Sequence, residues 1–286
     1  MGEALWDVLP EGKQIGGAPA NFAFHAGQLG FPSVAVSAVG NDALGDEIVD
    51  IFTGKGLQHL LERVDYPTGT VQVTLDANGV PNYEICEGVA WDNIPLTDSL
   101  HELARRTGVF CFGTLAQRNA VSRASIRHFL GYMPDGGLKV FDINLRQHFY
   151  DEEVIVSSLK ECNILKINDD EYEQLRPMLR LDSASLEANC RDLLRRFGLH
   201  GLVLTCGAAG SHIFTESEHS YMETPRVPIA DTVGAGDSFT AAYCAAVLAG
   251  KGTREAHRLA VDLAAYVCTQ HGAMPEIPAE LKNRLD

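Results

Sequence analysis

The sequence contains no run of about 18 consecutive apolar residues, and no basic segment followed by an apolar stretch near its start. It therefore reads as a chain with neither a membrane span nor a secretory leader. Positive charge is scarce: 23 Lys and Arg stand against 38 Asp and Glu, a formal net charge of −15. Such a surface repels nucleic acid and anionic lipid, so both are excluded as expected partners, and any phosphate-bearing ligand needs a local source of positive potential. No two cysteines have C-x-x-C spacing, and their number is odd: Cys86, Cys111, Cys162, Cys190, Cys206, Cys244 and Cys268. Most lie in apolar runs. Free buried thiols in a reducing, cytoplasmic setting account for them better than a disulfide framework or a zinc site. The pattern G-x-x-x-x-G-K-[ST] is missing, which excludes a P-loop. Internal repeats and low-complexity tracts are missing too.

What is present suits one large α/β domain with a small appendage. The chain has 286 residues, of which 45% are apolar and 21% charged, enough for a sizeable core. Short apolar runs predict strands at Val34–Val39, Val109–Gly113, Val140–Asn144, Ile164–Asn168 and Leu202–Thr205. Helical patterns lie between them, at roughly 18–29, 44–54, 121–131, 152–160, 183–197, 236–249 and 253–270. This alternation implies a mostly parallel sheet covered by helices on both faces. One region departs from it. Thr70–Leu75 and Tyr83–Cys86 alternate apolar and polar residues about Asp76-Ala77-Asn78-Gly79, the pattern of an antiparallel hairpin with its turn. It is expected in a small separate sheet, to which Glu3–Lys13 adds a strand. Met1 falls almost directly on Gly2-Glu3-Ala4-Leu5-Trp6-Asp7, so the first strand reads as cut short and the native N-terminus as a few residues longer.

Polar residues cluster just beyond the strands: Asn144 and Arg146, then Asn168 and Glu171, then Thr205, Gly207 and Gly210. In an open parallel sheet the crevice beyond the carboxyl ends binds ligands, so these distant segments are expected to share one cleft. Taken singly, each reads more readily as a turn or a cap. The sharpest signal is Asp231-Thr232-Val233-Gly234-Ala235-Gly236-Asp237-Ser238-Phe239, which opens an apolar helix. Gly234 and Gly236 let the backbone approach a ligand, and the amides of a helix N-terminus form an anion site. Asp237 falls in the first turn, where the helix dipole is expected to favour its ionised form, as a base requires. A second run, Gly16-Gly17-Ala18-Pro19-Ala20-Asn21, opens another helix, closed by Gly30. Phe22, Ala26 and Leu29 make its core face; Asn21, off that face, serves equally as a cap or as a reader of sugar hydroxyls.

With these runs in place, the sequence resembles the ribokinase-like (PfkB) carbohydrate kinases over nearly its whole length, and most closely their fructokinase branch. Asp231–Phe239 is similar to the family's C-terminal signature, and Gly16 to Gly30 with Val39-Gly40-Asn41-Asp42 and Gly45 to its N-terminal one. Asn168-Asp169-Asp170-Glu171 matches its N-x-x-E motif, and Thr205-Cys206-Gly207-Ala208-Ala209-Gly210 its T-x-G-x-x-G loop. The resemblance implies a single ribokinase-like domain over residues 1–286, with a lid sheet whose strands come from about 4–15 and 66–91. It implies Asp237 as catalytic base and Gly234, Ala235 and Gly236 as the anion hole. Asp7, Gly16, Gly17 and Asn21 would hold sugar hydroxyls, and Arg146 of Asp142-Ile143-Asn144-Leu145-Arg146 would supply positive charge to the substrates. Asn168 and Glu171 would organise Mg²⁺ through water. Thr205, Gly207 and Gly210 would follow the ATP, with Cys268 and His271 flanking adenine. Asp231 would lie near a monovalent cation such as K⁺. A homodimer through the lid is implied as well.

The expected reaction is transfer of the ATP γ-phosphoryl group to a small sugar, fructose first. Alternatives are a 2-keto-3-deoxygluconate kinase, a ribokinase, another kinase of this type, or a catalytically silent sugar-binding relative. Asp237 and the intact glycine loop argue against the silent relative. A Rossmann oxidoreductase lacks its G-x-G-x-x-G after the first strand.

Overall fold

The computed structural model describes residues 1–9, 12–75 and 81–285. Its elements begin with β1 (Leu5–Leu9), β2 (Gly12–Gly16), α1 (Ala18–Gln28), β3 (Val34–Gly40), α2 (Ala43–Gly54), β4 (Gln58–Val64), β5 (Gly69–Leu75) and β6 (Pro81–Ile85). Then come α3 (Asp98–Ala104), β7 (Val109–Phe112), α4 (Ala120–Tyr132), β8 (Leu138–Asp142), α5 (Glu152–Glu161), β9 (Ile164–Asn168), α6 (Asp169–Leu179), α7 (Leu186–Phe197), β10 (Gly201–Thr205), β11 (Ser211–Thr215), β12 (His219–Met222), α8 (Ala235–Leu248), α9 (Thr253–Cys268) and α10 (Ala279–Lys282). None of the described helices is long and apolar enough to cross a membrane.

The main sheet runs β12-β11-β10-β9-β8-β7, parallel from β7 to β10 and antiparallel at β11 and β12. Its central strands are buried along almost their whole length, as apolar runs covered on two faces must be. Val34–Val39 does not join this sheet by strand pairing. It forms β3, which pairs in parallel with β4, a strand too polar on one side to stand out in the sequence. The N-terminal residues sit at the seam between the two sheets: the Met1 amine donates to the Cys111 carbonyl and the Gly2 amide to that of Val36.

The smaller sheet has the order β2-β1-β5-β6. Its β1–β5 contact is parallel, so it is a mixed sheet and more than a hairpin with one added strand. The expected turn Asp76-Ala77-Asn78-Gly79 lies outside the described residues. Val71 and Ile85 are buried in the same core cluster as Leu5 and Trp91, so this part of the small sheet is covered by the chain itself. Its base is pinned by Arg118, which pairs with Asp92 at 2.7 Å, donates to the Cys86 carbonyl and lies over Trp91 and Phe149.

Three helices escaped the sequence reading, the one-turn α10 among them. α6 begins directly at the end of β9 with three acidic residues, and its Pro177 sits near the far end. α3 is only two turns long, started by the Thr97 side chain. Both are short or polar enough that their helical period is weak.

Candidate active site

α8 starts at the carboxyl edge of the main sheet. Gly234 adopts the left-handed conformation at its N-cap (φ 77°), and no side chain caps the helix. A β-carbon on Gly234 would stand 2.8 Å from the backbone of Ala273, so glycine is required there. The Ala235 amide donates a long 3.3 Å hydrogen bond to the Thr232 carbonyl, and the Gly236 amide that follows belongs to an N-terminus with no side-chain cap, the kind of end that takes an anion. Asp237 sits in that turn, and its Oδ2 accepts a 2.7 Å hydrogen bond from Asn21 Nδ2. Asn21 is buried in α1, and its own Oδ1 is a buried acceptor without a partner.

Beneath this turn lies a buried ion pair. Lys166 Nζ, from the middle of β9, reaches Asp142 Oδ1 at the end of β8 (3.0 Å), and Asp142 Oδ2 accepts from Thr240 Oγ1 of α8 (3.3 Å). Lys166 Nζ is also 3.2 Å from the place a β-carbon of Gly236 would take. The group accounts for the state of Asp237. Burial first, and then the Asp142 charge, push its carboxyl up to about 6, against the Asn21 hydrogen bond and Lys166. The helix dipole was expected to favour the ionised form, yet desolvation wins. Asp237 remains mostly ionised at neutral pH and would take a proton more readily than an ordinary aspartate.

A narrow cavity joins Asp237 to Glu3, Pro19, Phe22, Asp142 and Asn144. Beside it stands the other predicted group. Asp7 of β1 lies against Gly16, where a β-carbon would come within 2.6 Å of Asp7 Oδ2. Gly17 has φ 127°, and a β-carbon there would clash with the Glu3 carbonyl. Burial raises the carboxyls of both Glu3 and Asp7, and Arg146 draws both back down. Arg146 therefore serves this carboxylate group, while its Nη1 donates to the Leu145 carbonyl.

The remaining predicted residues lie at the ends of β9 and β10, in the segment before α8, and at the end of α9 and just beyond it. Asn168 caps α6: its Oδ1 accepts from the Glu171 amide and Glu171 Oε2 accepts from the Asn168 amide, both at 2.8 Å. Glu171 Oε1 accepts from the Leu145 amide (3.0 Å), so both carboxylate oxygens already hold backbone N–H groups. Glu171→Gln replaces one acceptor by an amide that must face a donor. It should cost about 1–3 kcal/mol of unfolding free energy, checked by urea denaturation. Thr205 ends β10. Gly207 (φ 51°) and Gly210 (φ 120°) shape the loop that follows, in which the Cys206 amide donates to the Gly210 carbonyl. Thr224 Oγ1 and the Tyr221 hydroxyl hold this loop through the carbonyls of Gly207 and Ala209. The Cys268 carbonyl accepts from the amides of Ala230 and Asp231. Asp231 in turn accepts from Val233 and Gly272, and His271 is exposed next to it.

Among the described residues no group of three or more His, Cys, Asp or Glu could cage a metal. Sequence reasoning missed Glu3, Lys166 and the role of Asp142. The signal for Lys166 was present: a lysine inside a strand otherwise apolar enough for two buried faces must find a carboxylate.

Comparison with known proteins agrees with this architecture. The pfkB family carbohydrate kinase model matches residues 11–280. A fructokinase of Solanum tuberosum is 26% identical over 281 residues, covering 94% of this chain and 84% of the relative. A ribokinase of Arabidopsis thaliana is 29% identical over 275 residues, covering 92% and 69%. The crystal structure of a Xylella fastidiosa fructokinase with bound ATP superposes with a TM-score of 0.81 at 22% identity, over 99% of this chain and 96% of that one.

Proposed function

The chain belongs to the pfkB family of carbohydrate kinases, phosphotransferases with an alcohol group as acceptor, and we propose that it moves the γ-phosphoryl group of ATP to a hydroxymethyl group of fructose. The observation that carries this reading is Asp237, a carboxylate of raised proton affinity held by Asn21 at the open N-terminus of α8. Asp237 takes the proton of the attacking hydroxyl as the oxygen bonds to phosphorus. The amides of Gly234, Ala235 and Gly236 receive the charge of the phosphoryl oxygens, and Lys166 behind Gly236 adds positive potential in a chain that has little of it. Asp7, Gly16, Gly17 and Asn21 orient the sugar, with Arg146 balancing the carboxylates of Asp7 and Glu3.

Thr205, Gly207 and Gly210 run along the nucleotide, and Cys268 and His271 flank its base. Mg²⁺, when bound, neutralises the phosphates; Asn168 and Glu171 are the residues that would face its water shell. Asp231 lies where a monovalent cation would support the anion-hole loop. The small sheet acts as a lid and as the surface of a homodimer, which light scattering at micromolar concentration tests by a mass twice that of the chain.

Ribose is the second reading, favoured by the 29% identity to the Arabidopsis ribokinase. A panel of fructose, ribose, 2-keto-3-deoxygluconate and related sugars in a coupled ADP-release assay decides between them. Fructose should give the highest kcat/KM. Release of ADP with none of the sugars would overturn the kinase reading in favour of a silent sugar binder.

A further inference from the structure

We propose that the end of the α8–α9 pair far from Asp237 carries a second anion site, which takes a phosphate-bearing small molecule. Asp237 lies in the first turn of α8, a helix of 14 residues and therefore about 20 Å long. At the other end of that helix a concave pocket of about 410 Å³ opens between α8, α9, β12 and the C-terminal segment. Ligand sites for small molecules have volumes of roughly 300–1,000 Å³. Met222, Ala246 and Leu259 give this one an apolar floor, and Lys251, Arg254, Arg258 and Arg284 line its wall.

The concentration of positive charge runs against the rest of the molecule, whose formal net charge is −15. Two of these four groups, Arg254 and Arg258, are also chemically available. Arg254 and Arg258 are four residues apart on α9, so they project side by side from one face. Neither makes an ion pair or a side-chain hydrogen bond among the described residues, and both are exposed. On α7 the pattern is the opposite: Arg191, Arg195 and Arg196 are each paired with Glu187 or Asp192. Within the pocket Arg284 is held by Asp262 at 2.6 Å. Glu255, the acidic residue of the lining, is turned to the Gly252 amide, where it caps α9. Two adjacent guanidinium forks above an apolar floor match the several oxygens and the double charge of a phosphate ester better than a single carboxylate.

Pyrophosphate serves as the probe on the full-length protein. In phenylglyoxal modification followed by peptide mass spectrometry, pyrophosphate should slow the modification of Arg254 and Arg258 and leave that of Arg195 unchanged. In calorimetry at low salt, the R254Q/R258Q variant should bind pyrophosphate at least about tenfold more weakly at this site, equivalent to one charge-assisted hydrogen bond. An R191Q/R195Q control should bind as the wild type does. Both variants keep their sugar-kinase turnover, because none of these side chains is near Asp237. Equal protection of Arg195, equal binding by the wild type and R254Q/R258Q, or an equal loss in the control would each overturn the site.

Discussion

Asp237→Asn should lower turnover by about 10²–10⁴-fold, the range for loss of a general base, with little change in the KM for sugar or ATP. The amide keeps the shape of the carboxylate, and its oxygen still accepts from Asn21 Nδ2. What is lost is the ability to take a proton from the attacking hydroxyl. The same substitution should leave the fold as stable as the wild type or more so. Burial and Asp142 push the Asp237 carboxyl up to about 6, so the folded state holds its ionised form at a cost. The sign follows from linkage: the native state binds this proton more tightly than the unfolded chain does. The charged group therefore destabilises the fold at neutral pH; the penalty begins to shrink as pH falls below about 6 and is gone only below the ordinary aspartate value of 3.8. Taken from the ordinary aspartate value, the penalty is about 3 kcal/mol, and less once partial solvent exposure screens it. Stopped assays and urea denaturation on one preparation test both halves. A variant that turns over within about threefold of the wild type would remove Asp237 from the role of base. For the wild type, kcat/KM should fall about tenfold per pH unit below about 6, because only the ionised carboxylate accepts a proton.

The division between what the sequence revealed and what it hid follows from how each feature is encoded. Asp231–Phe239 and Gly16–Asn21 were legible because glycines at fixed spacing next to a helix start have a local meaning, and Gly17 and Gly234 do adopt the backbone that only glycine tolerates well. The strands β7 to β10 were legible because burial on two faces leaves a mostly apolar run, broken only by Lys139 in β8 and Lys166 in β9 before the polar ends Asp142, Asn168 and Thr205. β4, β11 and β12 were not, because pairs and edges with a wet side carry mixed residues: Gln58, Glu62, His219 and Tyr221 break the run. Glu171 shows the limit for single residues. Its motif was visible, but the backbone donors that hold both its oxygens come from Asn168 and, across the crevice, from Leu145. The last is a long-range contact that no local pattern encodes. Lys166 and Asp142 are likewise 24 residues apart, and neither announces the other.

That ion pair leads to the second large effect. Lys166→Met should destabilise the fold by about 3–5 kcal/mol, since among the described residues it leaves the buried Asp142 carboxylate with the Thr240 hydroxyl as its remaining side-chain hydrogen-bond partner. It should also lower turnover by about 10²–10³-fold, as loss of one fixed positive group behind the anion hole does. The two losses have different causes and can be separated. In Lys166→Met/Asp142→Asn the unpaired charge is gone, so most of the stability should return. Turnover should not, because no positive charge then stands behind Gly236. The pH profile gives a third reading. Asp142 raises the proton affinity of Asp237 and Lys166 lowers it, with Asp142 the stronger of the two. Removing both should therefore move the acidic limb of kcat/KM to lower pH than in the wild type, even as the plateau falls. If the double variant regained turnover together with stability, Lys166 would be no more than the counter-ion of Asp142, and the positive potential at the anion hole would come from the α8 amides alone.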